Sequence, residues 1–140
     1  MLRSTLLIVL SIISTALLAQ EPISQVNWDP ILNGIAKVET NSYLKDGTFY
    51  YVNQRRGRAG ERGPYQMTRI AFDQIKQPGD SFSRLETDDY YARMMARRYL
   101  IWLYNNSARG NVALAIQYYN AGPNNYSYRY YRKVMANVYE

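Results

Sequence analysis
A chain of 140 residues with 17 Lys and Arg, 11 Asp and Glu, no His and no Cys is long enough for one core and too short for two. The missing residue types exclude thiol nucleophiles, imidazole bases and His- or Cys-ligated zinc. No metal or cofactor is expected, and any chemistry falls to carboxylates, hydroxyls, amides, Tyr, Lys or Arg. An apolar fraction of 47% excludes a disordered chain, and the net charge of +6 suits an anionic partner.

Residues 1–19 read as a signal peptide. Arg3 gives a positive start, Leu6 to Leu18 is an apolar run shorter than a bilayer span, and Ala16 and Ala19 offer small residues for cleavage. The alternative is an uncleaved anchor. Both imply export, to the periplasm or the envelope, and a domain over 20–140 held by packing without disulfides.

Asp29-Pro30 predicts a helix start, with Asp29 as cap and Pro30 in the first turn. Ile31, Leu32, Ile35, Ala36 and Val38 supply its apolar stripe, and Thr40-Asn41-Ser42 ends it just after Glu39. Asp46-Gly47 predicts a turn, Thr48 to Val52 a strand, and the Arg- and Gly-rich stretch from Arg55 to Gly63 a loop. Thr68 caps a helix through Ile75, and Ser83 with Glu86 has the capping-box spacing. Asp88 and Asp89 open a long helix to about Tyr104. Asn111 caps another, which Gly122-Pro123 ends. Tyr131, Val134, Met135 and Val138 mark the last. The fold class expected is α+β, predominantly helical, with a small irregular or β lobe between Asn41 and Gly63.

Glu39 ends a helix that otherwise turns apolar residues inward, a setting that strips water from a carboxylate and raises its pKa. Gln66 brings an amide on a tight loop entering a helix. Tyr119-Asn120 puts an aromatic and an amide at a helix end that Gly122 alone would explain as a cap.

Taken in order, Glu39-Thr40, Gly63-Pro64-Tyr65-Gln66-Met67 and Tyr119-Asn120-Ala121-Gly122 resemble three motifs of the lytic transglycosylase family with the soluble-transglycosylase type of catalytic domain. Those motifs are Glu-Ser, Gly-Leu-Met-Gln and Ala-Tyr-Asn-Ala-Gly. Tyr131-Arg132-Lys133-Val134 is similar to a tyrosine-bearing segment that closes the cleft in many members. Thr40 stands for the usual Ser, Pro64-Tyr65 for Leu-Met, and Tyr118 for the Ala before Tyr-Asn. The resemblance implies a lysozyme-like fold and cleavage of peptidoglycan glycan strands between N-acetylmuramic acid and N-acetylglucosamine, leaving anhydro-muramyl ends. It implies Glu39 as the catalytic acid, with Thr40, Gln66, Tyr119, Asn120 and Tyr131 on the substrate side. Secretion, conjugation, pilus or phage-entry machinery would be the fitting partners.

Two other readings compete. If Glu61 in the glycine-rich loop faced Glu39 across a water, a lysozyme-type hydrolase would use both carboxylates. Pairing of Glu61 with Arg58 or Arg62 at the surface is the plainer expectation. In a different class, Arg55, Arg56, Arg58 and Arg62 interleaved with Tyr50, Tyr51 and Tyr65 would suit a non-catalytic glycan- or nucleic-acid-binding module. A leader peptide argues against nucleic acid as the main ligand.

Overall fold
The computed structural model describes residues 25–50 and 55–138. The expected leader and the Tyr51-Val52 end of the expected strand lie outside those residues. Among them the chain is predominantly helical with one small sheet. Helix α1 (Trp28–Thr40) is followed by a hairpin of β1 (Tyr43–Lys45) and β2 (Thr48–Tyr50), then by α2 (Arg69–Ile75) and a 3-10 turn (Ser83–Glu86). The chain continues through α3 (Asp89–Asn106), α4 (Val112–Ala121) and α5 (Tyr128–Ala136). The hairpin is antiparallel, with Tyr43 opposite Tyr50 and Lys45 opposite Thr48.

Local chemistry accounts for the boundaries. Thr68 accepts the N–H of Ala71, Asp88 that of Tyr91 and Asn111 that of Leu114, each quenching a donor that a helix start leaves open. Helix α1 departs from expectation: its cap is Asn27, which accepts from the N–H of Asp29, and the helix begins at Trp28. Pro30 therefore falls third, where its missing N–H is still harmless. Asp29, no longer a cap, receives Arg93 at 3.0 Å. At the other end Asn41 takes the left-handed conformation at φ 56°, and the N–H groups of Asn41 and Ser42 bond the carbonyls of Lys37 and Ala36.

One apolar core joins the helices. Leu32, Ile35 and Ala36 of α1 meet Met95, Leu100 and Leu103 of α3, Ile116 of α4 and Val134 of α5, all of them almost fully buried. Helix α3 supplies the long central face, and α1 packs against α5 at close range. Gly34 permits that approach, since a Cβ there would stand 2.6 Å from the Val134 carbonyl oxygen.

Candidate active site
Glu39 lies four residues after the buried Ile35 and eleven after the buried Trp28, so it continues the inward stripe of α1 at the helical period. Its position against α5 follows from the Gly34–Val134 contact. Glu39 is about 7.5 Å along α1 from Gly34, and Tyr130 is about 6 Å back along α5 from Val134, at 1.5 Å of rise per residue. The helices run in opposite directions, so this register brings the two side chains together. The Tyr130 hydroxyl donates to Glu39 Oε1 at 2.7 Å.

Burial pushes the Glu39 carboxyl up from the ordinary 4.5 to about 6. The Tyr130 hydrogen bond opposes that rise and the nearby charge of Glu61 adds to it. Tyr119 and Tyr130 both have hydroxyls pushed well above the ordinary 10, by burial first and by the Glu39 charge second. Both phenols therefore stay protonated near neutral pH and serve as donors. The site is a half-buried carboxyl with two phenol donors around it.

The segments that carry the motif-like residues are tied to one another across long stretches of chain. Thr40 Oγ1 donates to the Pro64 carbonyl at 2.8 Å, fixing the end of α1 to the Gly63–Met67 loop. The Tyr119 hydroxyl donates to the Tyr65 carbonyl at 3.0 Å, fixing α4 to the same loop. From below, Arg93 donates to the buried Tyr65 hydroxyl at 2.9 Å. Desolvation pushes that phenol up to about 12, with Arg93 working against the rise. Within the loop the Gln66 amide donates to the Gly63 carbonyl at 2.9 Å, and Gln66 holds a left-handed φ of 45°. Gly63 is obligatory there: φ is 71° and a Cβ would meet the Leu85 carbonyl oxygen at 2.2 Å.

These bonds redistribute the expected roles. Thr40 is buried and also shares a hydrogen bond with Ser42, so its hydroxyl positions the loop and does not face a ligand. The Tyr119 hydroxyl is likewise engaged by the loop, leaving its ring to line a pocket of about 240 Å³ with Gln66, Met67, Asn120 and Gly122. Asn120 is exposed at that pocket with its amide open to a ligand. The α5 tyrosine that reaches the acid is Tyr130, while Tyr131, expected on the substrate side, stacks on Tyr128 at 5.9 Å. The signal for Tyr130 was present: it stands four residues before Val134, and both are buried on α5.

Glu61 also departs from expectation. Its Oε2 accepts the N–H of Ala59 at 3.0 Å, while Arg62 pairs with Glu86 at 2.6 Å. Glu61 and Gln66 close over Gly57, where a Cβ would stand 2.1 Å from Glu61 Oε2 and 2.4 Å from Gln66 Oε1. The arginine loop is bound to the body of the molecule: Arg55 pairs with Asp89 at 2.6 Å and Arg56 with Glu86 at 2.7 Å. The Arg56 hydrogen bond holds Glu86 down at about 2, with Arg62 helping it against the opposing effect of desolvation. Tyr65 is buried and Arg55, Arg56 and Arg62 are ion-paired, whereas Arg58 and Tyr50 are exposed and Tyr51 lies outside the described residues. Among the described residues no group of acids could hold a metal ion.

No family model, curated protein or solved structure matches this chain.

Proposed function
We propose that the protein is a lytic transglycosylase of lysozyme-like fold, acting on exported peptidoglycan glycan strands. The observation that carries the reading is the convergence on Glu39: one half-buried carboxyl raised to about 6, capped by Tyr130 and flanked by a loop that Thr40 and Tyr119 hold in place. A carboxyl poised there donates a proton near neutral pH and takes one back afterwards.

In the proposed reaction Glu39 protonates the glycosidic oxygen between N-acetylmuramic acid and N-acetylglucosamine, and the C1–O bond breaks. The acetamido oxygen of the muramyl sugar supports C1 as the leaving sugar departs. Glu39, now a carboxylate, removes the proton of the C6 hydroxyl, whose oxygen bonds to C1 and displaces the acetamido oxygen. The acid regains its proton and the product carries a 1,6-anhydro ring. No water enters the products, so no second carboxylate is required to activate one. Asn120 and the wall of the pocket that Tyr119 shares suit the task of holding the acetamido group. Tyr130 orients the Glu39 carboxyl and tunes its proton affinity.

A lysozyme-type hydrolase is the second reading. It draws on one observation, that the charge of Glu61 reaches Glu39 and raises its pKa. Products decide between them. Mass spectrometry of sacculi digested by the protein should show anhydro-muramyl ends, lighter by one water than lysozyme products. Free reducing ends would assign the base to Glu61 and overturn the transglycosylase reading, and an undigested sacculus would overturn both.

A further inference from the structure
Apart from the exposed Arg58 and Arg109, the cations of the described residues fall into two populations. Those of the 55–62 loop, α2 and α3 are largely engaged by Asp29, Asp73, Asp80, Glu86, Asp88 and Asp89. Lys37, Lys45, Arg129, Arg132 and Lys133 form no ion pair with any described acid, and they gather along one edge of the molecule. Lys37 and Lys45 line a shallow cavity of about 430 Å³ that Asn137 completes. Asn137 stands one helical turn after Lys133, its amide donating to the Lys133 carbonyl at 2.8 Å, and Lys133 lines a second, open cavity of about 410 Å³ with Tyr128, Arg129 and Arg132. Helix α5 carries no acid over its whole length. The result is a cationic face on the outer side of the helix whose inner side holds Tyr130, with Lys37 and Lys45 flanking it across Asn137.

We propose that this face docks the domain on an anionic lipid bilayer, its lysines and arginines taking the phosphates of the headgroups. Three features select a bilayer over a nucleic acid. The α5 cations are exposed on long stems that reach outward from a broad, open surface, so several can meet headgroup phosphates in one plane. Tyr128, 63% exposed at the start of α5, is the amphipathic aromatic suited to the headgroup level. The rings at this edge pair with each other, Tyr128 with Tyr131 and Tyr43 with Tyr50, and do not stand apart as stacking platforms for bases. The sequence adds that Leu6 to Leu18, as leader or as anchor, brings the chain to a bilayer. The proposal does not depend on the lytic reading, because neither the face nor its ligand involves the glycan.

The full chain should be sedimented with phosphatidylcholine vesicles, with and without about one third phosphatidylglycerol, at low and high salt. The apolar leader contributes to both vesicle types, so the ratio of the two partition coefficients isolates the charge effect. A ratio above about 100 is expected at low salt, at about fivefold per cation, collapsing at high salt. The combined Arg129→Ala, Arg132→Ala, Lys133→Ala variant should lower the ratio by on the order of 100-fold with an unchanged thermal melt. The pair Arg69→Ala and Lys76→Ala, already ion-paired to Asp73, should leave it nearly unchanged. A wild-type ratio near one, a ratio retained by the triple variant, or equal losses in both variants would overturn the proposal. So would tighter binding to a single-stranded oligonucleotide than to the anionic vesicles at matched phosphate concentration.

Discussion

Between α1 and α5, burial withdraws Glu39 from water and lifts its carboxyl to about 6. Beside the arginine loop, Glu86 accepts Arg56 and Arg62 and is held at about 2. The two glutamates differ in the company the fold gives them. A carboxylate ringed by guanidinium groups stays ionised through the neutral range and anchors a loop. One set against tyrosines and apolar walls keeps its proton toward neutrality and serves as an acid. Their contributions to folding have opposite sign with pH. Stability tied to the raised Glu39 is present below pH 4.5 and is lost as pH rises through about 6. Stability tied to the depressed Glu86 is present above pH 4.5 and is lost as pH falls toward about 2.

The sharpest way to break this contrast is to neutralise the acid. Glu39→Gln should fold and melt normally but lose about 10²–10⁴ in sacculus digestion rate, because the amide keeps the shape and cannot give the proton. Glu61→Gln should retain most activity. The reverse ranking would move the chemistry to the loop side of the cleft.

Asn120→Ala asks whether the pocket lined by Tyr119 and Asn120 holds substrate. Its amide is exposed, so the melt should stay within about 0.5 kcal/mol of wild type. Turnover should fall on the order of 10²–10³, the loss seen when a donor to a developing charge is removed. Unchanged turnover would reduce the Asn120-Ala121-Gly122 segment to a helix end.

A third test acts on the register between α1 and α5. Gly34→Ala sets a methyl against the Val134 carbonyl and should destabilise by about 1–3 kcal/mol in urea unfolding, although Ala is the better helix former. It should also slow digestion at temperatures where the variant is fully folded, by moving Tyr130 off Glu39. A stable, fully active variant would show that the close approach has no part in placing the acid.

The smallest effects are shifts in the pH profile. Tyr130→Phe removes the hydrogen bond that lowers the Glu39 pKa, so the alkaline limb of kcat/KM should move to higher pH. Glu61→Gln removes the charge that raises it, and the limb should move lower. Shifts in one common direction would contradict the assigned causes.

Much of this arrangement is legible in the sequence, for local reasons. Thr68 and Asn111 cap their helices and Gly122 closes α4 as read, because a cap needs only one side chain and its own next turn. The inward placement of Glu39 follows from the stripe of α1. Asn27 and Asp29 compete for one helix start, and composition alone does not choose between them. Strand β1 escapes because its three residues show no alternation long enough to read, and only pairing with β2 defines it. The partners of the loop arginines are equally hidden: Arg56 and Arg62 meet Glu86 across a separation longer than any described helix of the chain, so Glu61 looks like the natural partner of Arg62. The choice between Tyr130 and Tyr131 turns on the phase of α5, which Val134 and the approach at Gly34 determine.

Both carboxyls can be followed in one experiment. Carbon-13 NMR titration of the protein labelled at the glutamate carboxyl carbon, with Glu39→Gln and Glu86→Gln used to assign the two signals, reports each midpoint directly. The account predicts about 6 for Glu39 and about 2 for Glu86. A Glu39 midpoint at the ordinary 4.5 or below would contradict it, since the carboxyl would then be an ionised surface group and not the poised acid of the cleft.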